Sequence, residues 1–336
     1  MRGWRKRAIA FARGCAYFPP MDTDAYLAIA RAILSQPTAP FHEDAVRAEI
    51  ERLLADCPHV RIERDAFGNL VALYQRGKAK PRFAFAAHMD HPAYVGRAFL
   101  GGVPESYRKK KPATQKFDGF RMWDLPAFEL RAGNIRSRAC DDLIGCACIV
   151  AMLRELEQSG AECAAYGLFT RAEEVGFVGA IQLAKSGVLP KSVTVVSLET
   201  SSVKGGPVEI GAGPIIRVGD RTSVFDSAAT AQLQDAAKRA EIPHQRALLQ
   251  GGTCEATAYA LYGYRTAAMC VALGNYHNCG PRDRIAPEYV SAADALGMAQ
   301  LCVATALGGA NDSLHALKLR LEQRMDEHRK YFRDLR

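Results

Sequence analysis

The residues able to do chemistry stand where apolar runs end. Arg82–Ala87 (RFAFAA) leads into His88-Met89-Asp90, and Ala164–Thr170 (AAYGLFT) leads to Glu173-Glu174. Ser192–Leu198 (SVTVVSL) ends in Glu199, and Thr266–Leu273 (TAAMCVAL) is followed by Gly274-Asn275-Tyr276-His277. Asp141-Asp142 opens a further apolar stretch. Two imidazoles with several carboxylates are the donor inventory of a centre for two divalent cations. Nitrogen and oxygen donors without thiolates suit zinc, cobalt or manganese, and the imidazoles argue against calcium or magnesium. Gathered at one sheet edge, so many carboxylates repel one another unless cations compensate them. The chemistry that follows is metal-assisted hydrolysis.

Roles can be assigned from this geometry. Two cations about 3.5–4 Å apart need a bridging carboxylate. Asp141, short and held at a helix start, is the expected bridge, with His88 and Glu199 completing one metal and His277 and Glu174 the other. Asp90 lies too near His88 to be an independent ligand and is expected to orient its ring. Glu173, beside a ligand but not one, is expected to act as general base on the metal-bridging water and to pass the proton to a leaving amine.

The ordered set HMD, CDD, AEEVG, an acid after VVSL, and NYHN resembles the co-catalytic zinc metallopeptidases, in particular their glutamyl/deblocking (tetrahedral) aminopeptidase family. FGNLVALY, FTRAEEVGFVGA, GPIIRVGDRTSVFD and QGGTCEATAYALYGYRTA extend the likeness from about Ala25 to Leu307. The resemblance implies removal of N-terminal residues from short peptides and a cis peptide after Asp141. Three positions depart from the family pattern. Glu199 stands where family aminopeptidases usually carry Asp. Related carboxypeptidases and deacylases often carry Glu there, so an N-acyl amino acid deacylase or a carboxypeptidase with the same metal centre is the alternative. Cys254 follows Gly-Gly-Thr where the family often has Asp. The interval between His88 and Asp141 is shorter than usual, which argues against a full tetrahedral dodecamer; a homo-oligomer, dimer or larger, is still expected.

The elements that must carry these groups are buried strands alternating with helices, which indicates an α/β fold with a mixed, largely parallel sheet sandwiched by helices. Helical patterns cover 142–158, 178–186, 227–240 and 253–262, and two more lie between Asp24 and Cys57 around Pro37-Thr38-Ala39-Pro40. The catalytic domain is expected over 21–96 and 133–311. A Gly-, Pro- and Lys-rich interval at 97–132 reads as an inserted lid or dimerisation subdomain. Residues 1–20 form a basic leader. Residues 312–336 form an amphipathic helix with Leu314, Leu317, Leu321, Met325, Phe332 and Leu335 on one stripe.

Composition bounds the remaining classes. The 336 residues carry 44 Lys+Arg against 36 Asp+Glu, a net charge of +8, with 49% hydrophobic residues, which is the mix of a globular protein. The basic run Arg108–Lys111 has no nucleic-acid-binding module beside it, so a solvated loop is expected and no nucleic-acid partner. No apolar run is long enough to span a membrane, and the leader lacks an export signal. The ten cysteines form no C-x-x-C pair and read as reduced thiols in a cytoplasmic protein.

Overall fold

The computed structural model describes residues 21–204, 206–309 and 312–332. The basic leader, the Phe332 side chain and Leu335 lie outside what it describes. Four parallel strands make the middle of the molecule: Ala164–Thr170, Phe83–His88, Thr194–Ser202 and Arg265–Gly274, side by side in that order. Antiparallel strands extend both edges. Leu70–Gln75 and Val60–Arg64 lie beyond the first strand, and Ile215–Gly219, Glu288–Ser291, Asn134–Ser137 and Glu129–Arg131 lie beyond the last. Gln245–Leu248 pairs with Ile215–Gly219 and completes a sheet of eleven strands. The mixed, largely parallel α/β architecture read from the sequence is therefore present.

Strand alternation sends side chains to two cores. Phe85, Val196 and Met269 pack against helices Thr23–Leu34, Leu143–Ser159, Ser227–Arg239 and Ala292–Ala306. Ala84, Leu168 and Val195 face Val178–Ser186 and Glu255–Leu261. The helix Leu143–Ser159 lies between sheet and outer helices and is buried on most sides through Leu153. It begins at Asp142, whose side chain accepts a hydrogen bond from the Gly145 amide. A Cβ at Gly145 would stand 2.2 Å from the Asp142 carboxylate, so glycine is what permits the cap.

The inserted segment departs from its expected bounds. A four-stranded antiparallel sheet, in the order Ala98–Leu100, Ala93–Val95, Phe120–Trp123, Thr114–Lys116, occupies 93–123. Tyr94, Phe99 and Trp123 pack together on it, with ring centroids 4.9–5.6 Å apart. Glu129–Arg131 belongs instead to the main sheet, because Ala132 and Gly133, both left-handed, close a tight hairpin with Asn134–Ser137.

The C-terminal helix Asp312–His328 is tied at its start, where the Ser313 amide and hydroxyl donate to Asp235 Oδ2. Leu317, Leu321 and Met325 of its stripe are exposed. Among the described residues no helix is long and apolar enough to cross a membrane.

Candidate metal centre

The carboxyl ends of the parallel strands converge as this topology requires. His88 is the last residue of Phe83–His88 and is 2% exposed; Glu199 lies within Thr194–Ser202. Glu173 and Glu174 form a short turn after Ala164–Thr170, and His277 follows Arg265–Gly274. Asp141 precedes the long buried helix, and its bond to Asp142 is cis, as the resemblance implies.

Asp141 stands between the two histidines. Its Oδ1 lies 3.5 Å from His88 Nε2 and its Oδ2 lies 3.4 Å from His277 Nε2. Glu199 Oε2 is 4.0 Å from His88 Nε2, and Glu174 Oε1 is 3.1 Å from His277 Nε2. Three donor triads result among the described residues: His88–Asp141–Glu199 and Asp141–Glu174–His277, which share the Asp141 carboxylate, and His88–Glu173–Glu174. Glu173 approaches from the side, with its Oε2 3.9 Å from His88 Nε2. The structure thus brings together all seven residues singled out by the sequence.

Asp90 lies against the His88 ring and has a second set of contacts besides. The His88 ring is oriented chiefly by the Asp90 carbonyl, 3.1 Å from Nδ1, and less by the carboxylate at 3.6 Å. The carboxylate accepts from the amides of Glu173 at 2.9 Å and Glu174 at 3.2 Å, and so fixes the acidic turn over the strand that carries His88.

Several supporting groups escape sequence reasoning. Glu288 Oε2 accepts from the amides of Cys140 and Asp141, at 2.7 and 3.0 Å, and holds the bridge in place. His91 faces the Asp141 carbonyl at 2.7 Å and Asn278 Oδ1 at 3.1 Å. The Gly102 carbonyl, from the inserted segment, meets His277 Nδ1 at 3.3 Å. His91 has a faint signal, as the fourth residue of H-M-D-H; Glu288 and Gly102 have none, because their partners are distant in the chain.

The electrostatics are those of a site short of positive charge. Burial pushes Glu173 well above the usual carboxylate range, aided by Glu199 and Glu174 and opposed by His88. Burial likewise raises Glu199 to about 8. For both histidines burial acts to lower the pKa, yet neighbouring carboxylates hold it well up, Glu173 and Asp141 for His88, Glu174 and Asp141 for His277. Asp141 is held below its ordinary value because contacts with His277 and His88 outweigh its burial.

The donor set fits divalent cations. Asp141 Oδ1, Glu174 Oε1 and Glu199 Oε1 are buried without an accepted hydrogen bond. Orphaned carboxylate oxygens facing two imidazoles are costly unless a cation takes them. The nine cysteines among the described residues are free thiols, and none belongs to the triads.

Comparison with known proteins gives concordant results. Residues 119–294 match the sequence profile of the M42 glutamyl aminopeptidase family. A protein of Acetivibrio thermocellus described as an aminopeptidase is 33% identical over 264 residues, covering 63% of this chain and 78% of that protein. Among solved structures, aminopeptidase APDkam598 from the archaeon Desulfurococcus kamchatkensis superposes with a TM-score of 0.72 at 18% identity, over 86% of this chain and 96% of that one. The Pyrococcus horikoshii TET1 peptidase, which assembles into a tetrahedron or a large octahedral shell, has a TM-score of 0.68 at 19% identity, over 84% and 99%.

Proposed function

The chain belongs to the M42 glutamyl aminopeptidase family, a metal-dependent peptide hydrolase acting at N-termini, and on that premise we propose how its residues divide the work. His88, Asp141 and Glu199 hold one divalent cation, and Asp141, Glu174 and His277 hold a second. Zinc suits the donors best, with cobalt or manganese as substitutes. The observation that carries this reading is the Asp141 carboxylate, each of whose oxygens faces a different histidine. When bound, the cations polarise the scissile carbonyl and acidify water.

The chain's own groups do the rest. Glu173 takes a proton from the attacking water and delivers it to the departing amine; its raised proton affinity suits a group that must do both. Asp90 keeps Glu173 and Glu174 in register through their amides. Glu288 and His91 fix the backbone around Asp141.

We further propose a cytoplasmic homo-oligomer, dimer or larger. The free thiols support a reducing compartment. The similar TET1 peptidase forms closed shells, and the comparisons lend no support to an assembly limited below the dodecamer. The inserted sheet is the proposed lid or subunit contact, attached where Gly102 meets His277.

The test is a substrate pair. With divalent metal added, leucyl anilide should be cleaved while N-acetyl-leucyl anilide is left intact. Preference for the acetylated compound would sink the aminopeptidase polarity and favour the deacylase reading.

A further inference from the structure

Glu43 is a buried acid that the chemistry above does not use. It stands immediately before the helix Asp44–Leu54, where an acidic side chain ordinarily caps the helix, yet it makes no such bond to that helix. It is fully buried, and both its oxygens turn elsewhere. Oε1 accepts from the Phe41 amide at 2.8 Å and from the Ala172 amide at 3.1 Å, and Oε2 accepts from Arg171 Nε at 2.7 Å. Arg171 directs its remaining donors at the carbonyls of Phe67 and Phe41, at 2.7 and 2.9 Å. Burial and the Asp90 carboxylate push Glu43 up to about 6, against the pull of Arg171, so at pH 8 it carries its charge.

The place that this ion pair grips is informative. Arg171 and Ala172 directly precede Glu173 and Glu174. Ala172 is left-handed, at φ +55°, a conformation that a residue with a Cβ holds only when its surroundings impose it. Four consecutive amides of this turn find acceptors on other segments. Arg171 donates to Asn69 Oδ1 at 2.9 Å, Ala172 donates to Glu43, and Glu173 and Glu174 donate to Asp90. Asn69 is itself tied to Asp65 and to the Gly179 carbonyl, at 2.6 and 3.0 Å. Asp90 by itself would hold only the far end of the turn. Glu43 and Arg171 hold the near end, and so decide how the peptide unit that carries Glu173 is tilted. Glu174 has other anchors, with its amide on Asp90 and its carboxylate 3.1 Å from His277.

We propose that Glu43 and Arg171 are positioning residues for the general base: they aim the Glu173 carboxylate without touching substrate or cation. A reacting group misplaced by about 1 Å can cost on the order of 10²-fold in rate, even when the cause lies away from the chemistry. This rests on the reading of Glu173 as base given above.

The test is a double-mutant cycle on kcat, read at pH 8 with leucyl anilide and saturating zinc. Glu43→Gln retains one oxygen for the two amides and loses the ion pair. It should lower kcat by about 10–100-fold, with KM and zinc content close to wild type. In a Glu173→Gln background the same substitution should change the residual kcat by less than about twofold, because no base is left to aim. Arg171→Lys, which keeps the charge but not the fork, should follow the same pattern and stands in if Glu43→Gln does not fold. Equal losses in the two backgrounds would make the pair a structural element only and overturn the proposal. So would an unchanged kcat, or a loss carried by KM or by zinc content. A Glu173→Gln enzyme as fast as wild type would instead remove the base reading itself.

Discussion

The two halves of the centre are built by different means. His88 sits at the end of a central strand, 2% exposed, with its ring directed by the next turn of the same chain segment. His277 sits in a bend where Asn275, His277 and Asn278 are all left-handed, and Tyr276 stacks on its ring at 3.9 Å. Its Nδ1 leans on Gly102 of the inserted sheet. Non-glycine residues in the left-handed region are held there by their surroundings. One half is therefore fixed by the core and the other by a loop and an insertion. Disturbances of the insertion should reach the second half alone.

The strongest way to break this asymmetry is to remove what both halves share. Asp141→Asn should deprive both triads of their common ligand, so elemental analysis should find cation content well below that of wild type and activity near background. Retention of the full complement would mean that Asp141 is not the bridge. Glu173 lies outside the two triads that share Asp141, so Glu173→Gln should act on turnover only, lowering kcat by roughly 10²–10⁴-fold with metal content unchanged. Loss of metal in that variant would move Glu173 from base to ligand.

A sharper probe addresses the insertion. Gly101 has φ +113°, and a Cβ there would come within 2.6 Å of Pro92. Gly101→Ala should displace the hairpin and with it the Gly102 carbonyl that steadies His277. Because such supporting contacts typically tune affinity by about 10–100-fold, one class of metal site should weaken by that factor in calorimetric titration while the other stays put. Equal weakening of both would erase the asymmetry.

The same distinction explains what could be read from the sequence. Six of the seven candidate site residues are legible because an apolar run announces a strand and the residues at or after its end inherit the sheet edge, and Asp141 because it stands just before an apolar helical run. The helix Ala292–Ala306 was missed because it is lined on most sides by small apolar residues and has no polar face to set a period. Ile215–Gly219 was hidden for a related reason, with Arg217 interrupting its apolar run. Glu288 and Gly102 owe their roles to neighbours far along the chain, and no local pattern marks that. Proximity to His88 makes the ring contact of Asp90 legible, but not its hold on the amides of Glu173 and Glu174, which come from another strand.

The smallest effect concerns pH and the cation-free protein. Burial holds Glu255 and Glu288 at about 7 and Glu199 at about 8. In the unfolded chain such acids ionise above about 4.5, so between there and pH 8 unfolding releases protons that the folded chain retains, and stability falls as pH rises. The raised histidines act in the same direction: their contribution is complete below about 6.5 and is lost as pH climbs through their higher folded values. Glu255 alone corresponds to about 3 kcal/mol. Metal-bound protein should behave oppositely, since protons compete with cations for the same oxygens and nitrogens. Thermal melts from pH 5.5 to 8.5, with chelator and with zinc, should therefore show slopes of opposite sign. Parallel slopes would mean that the acids at the sheet edge titrate independently of any cation, and the distinction between the core-fixed and loop-fixed halves would lose its chemical basis.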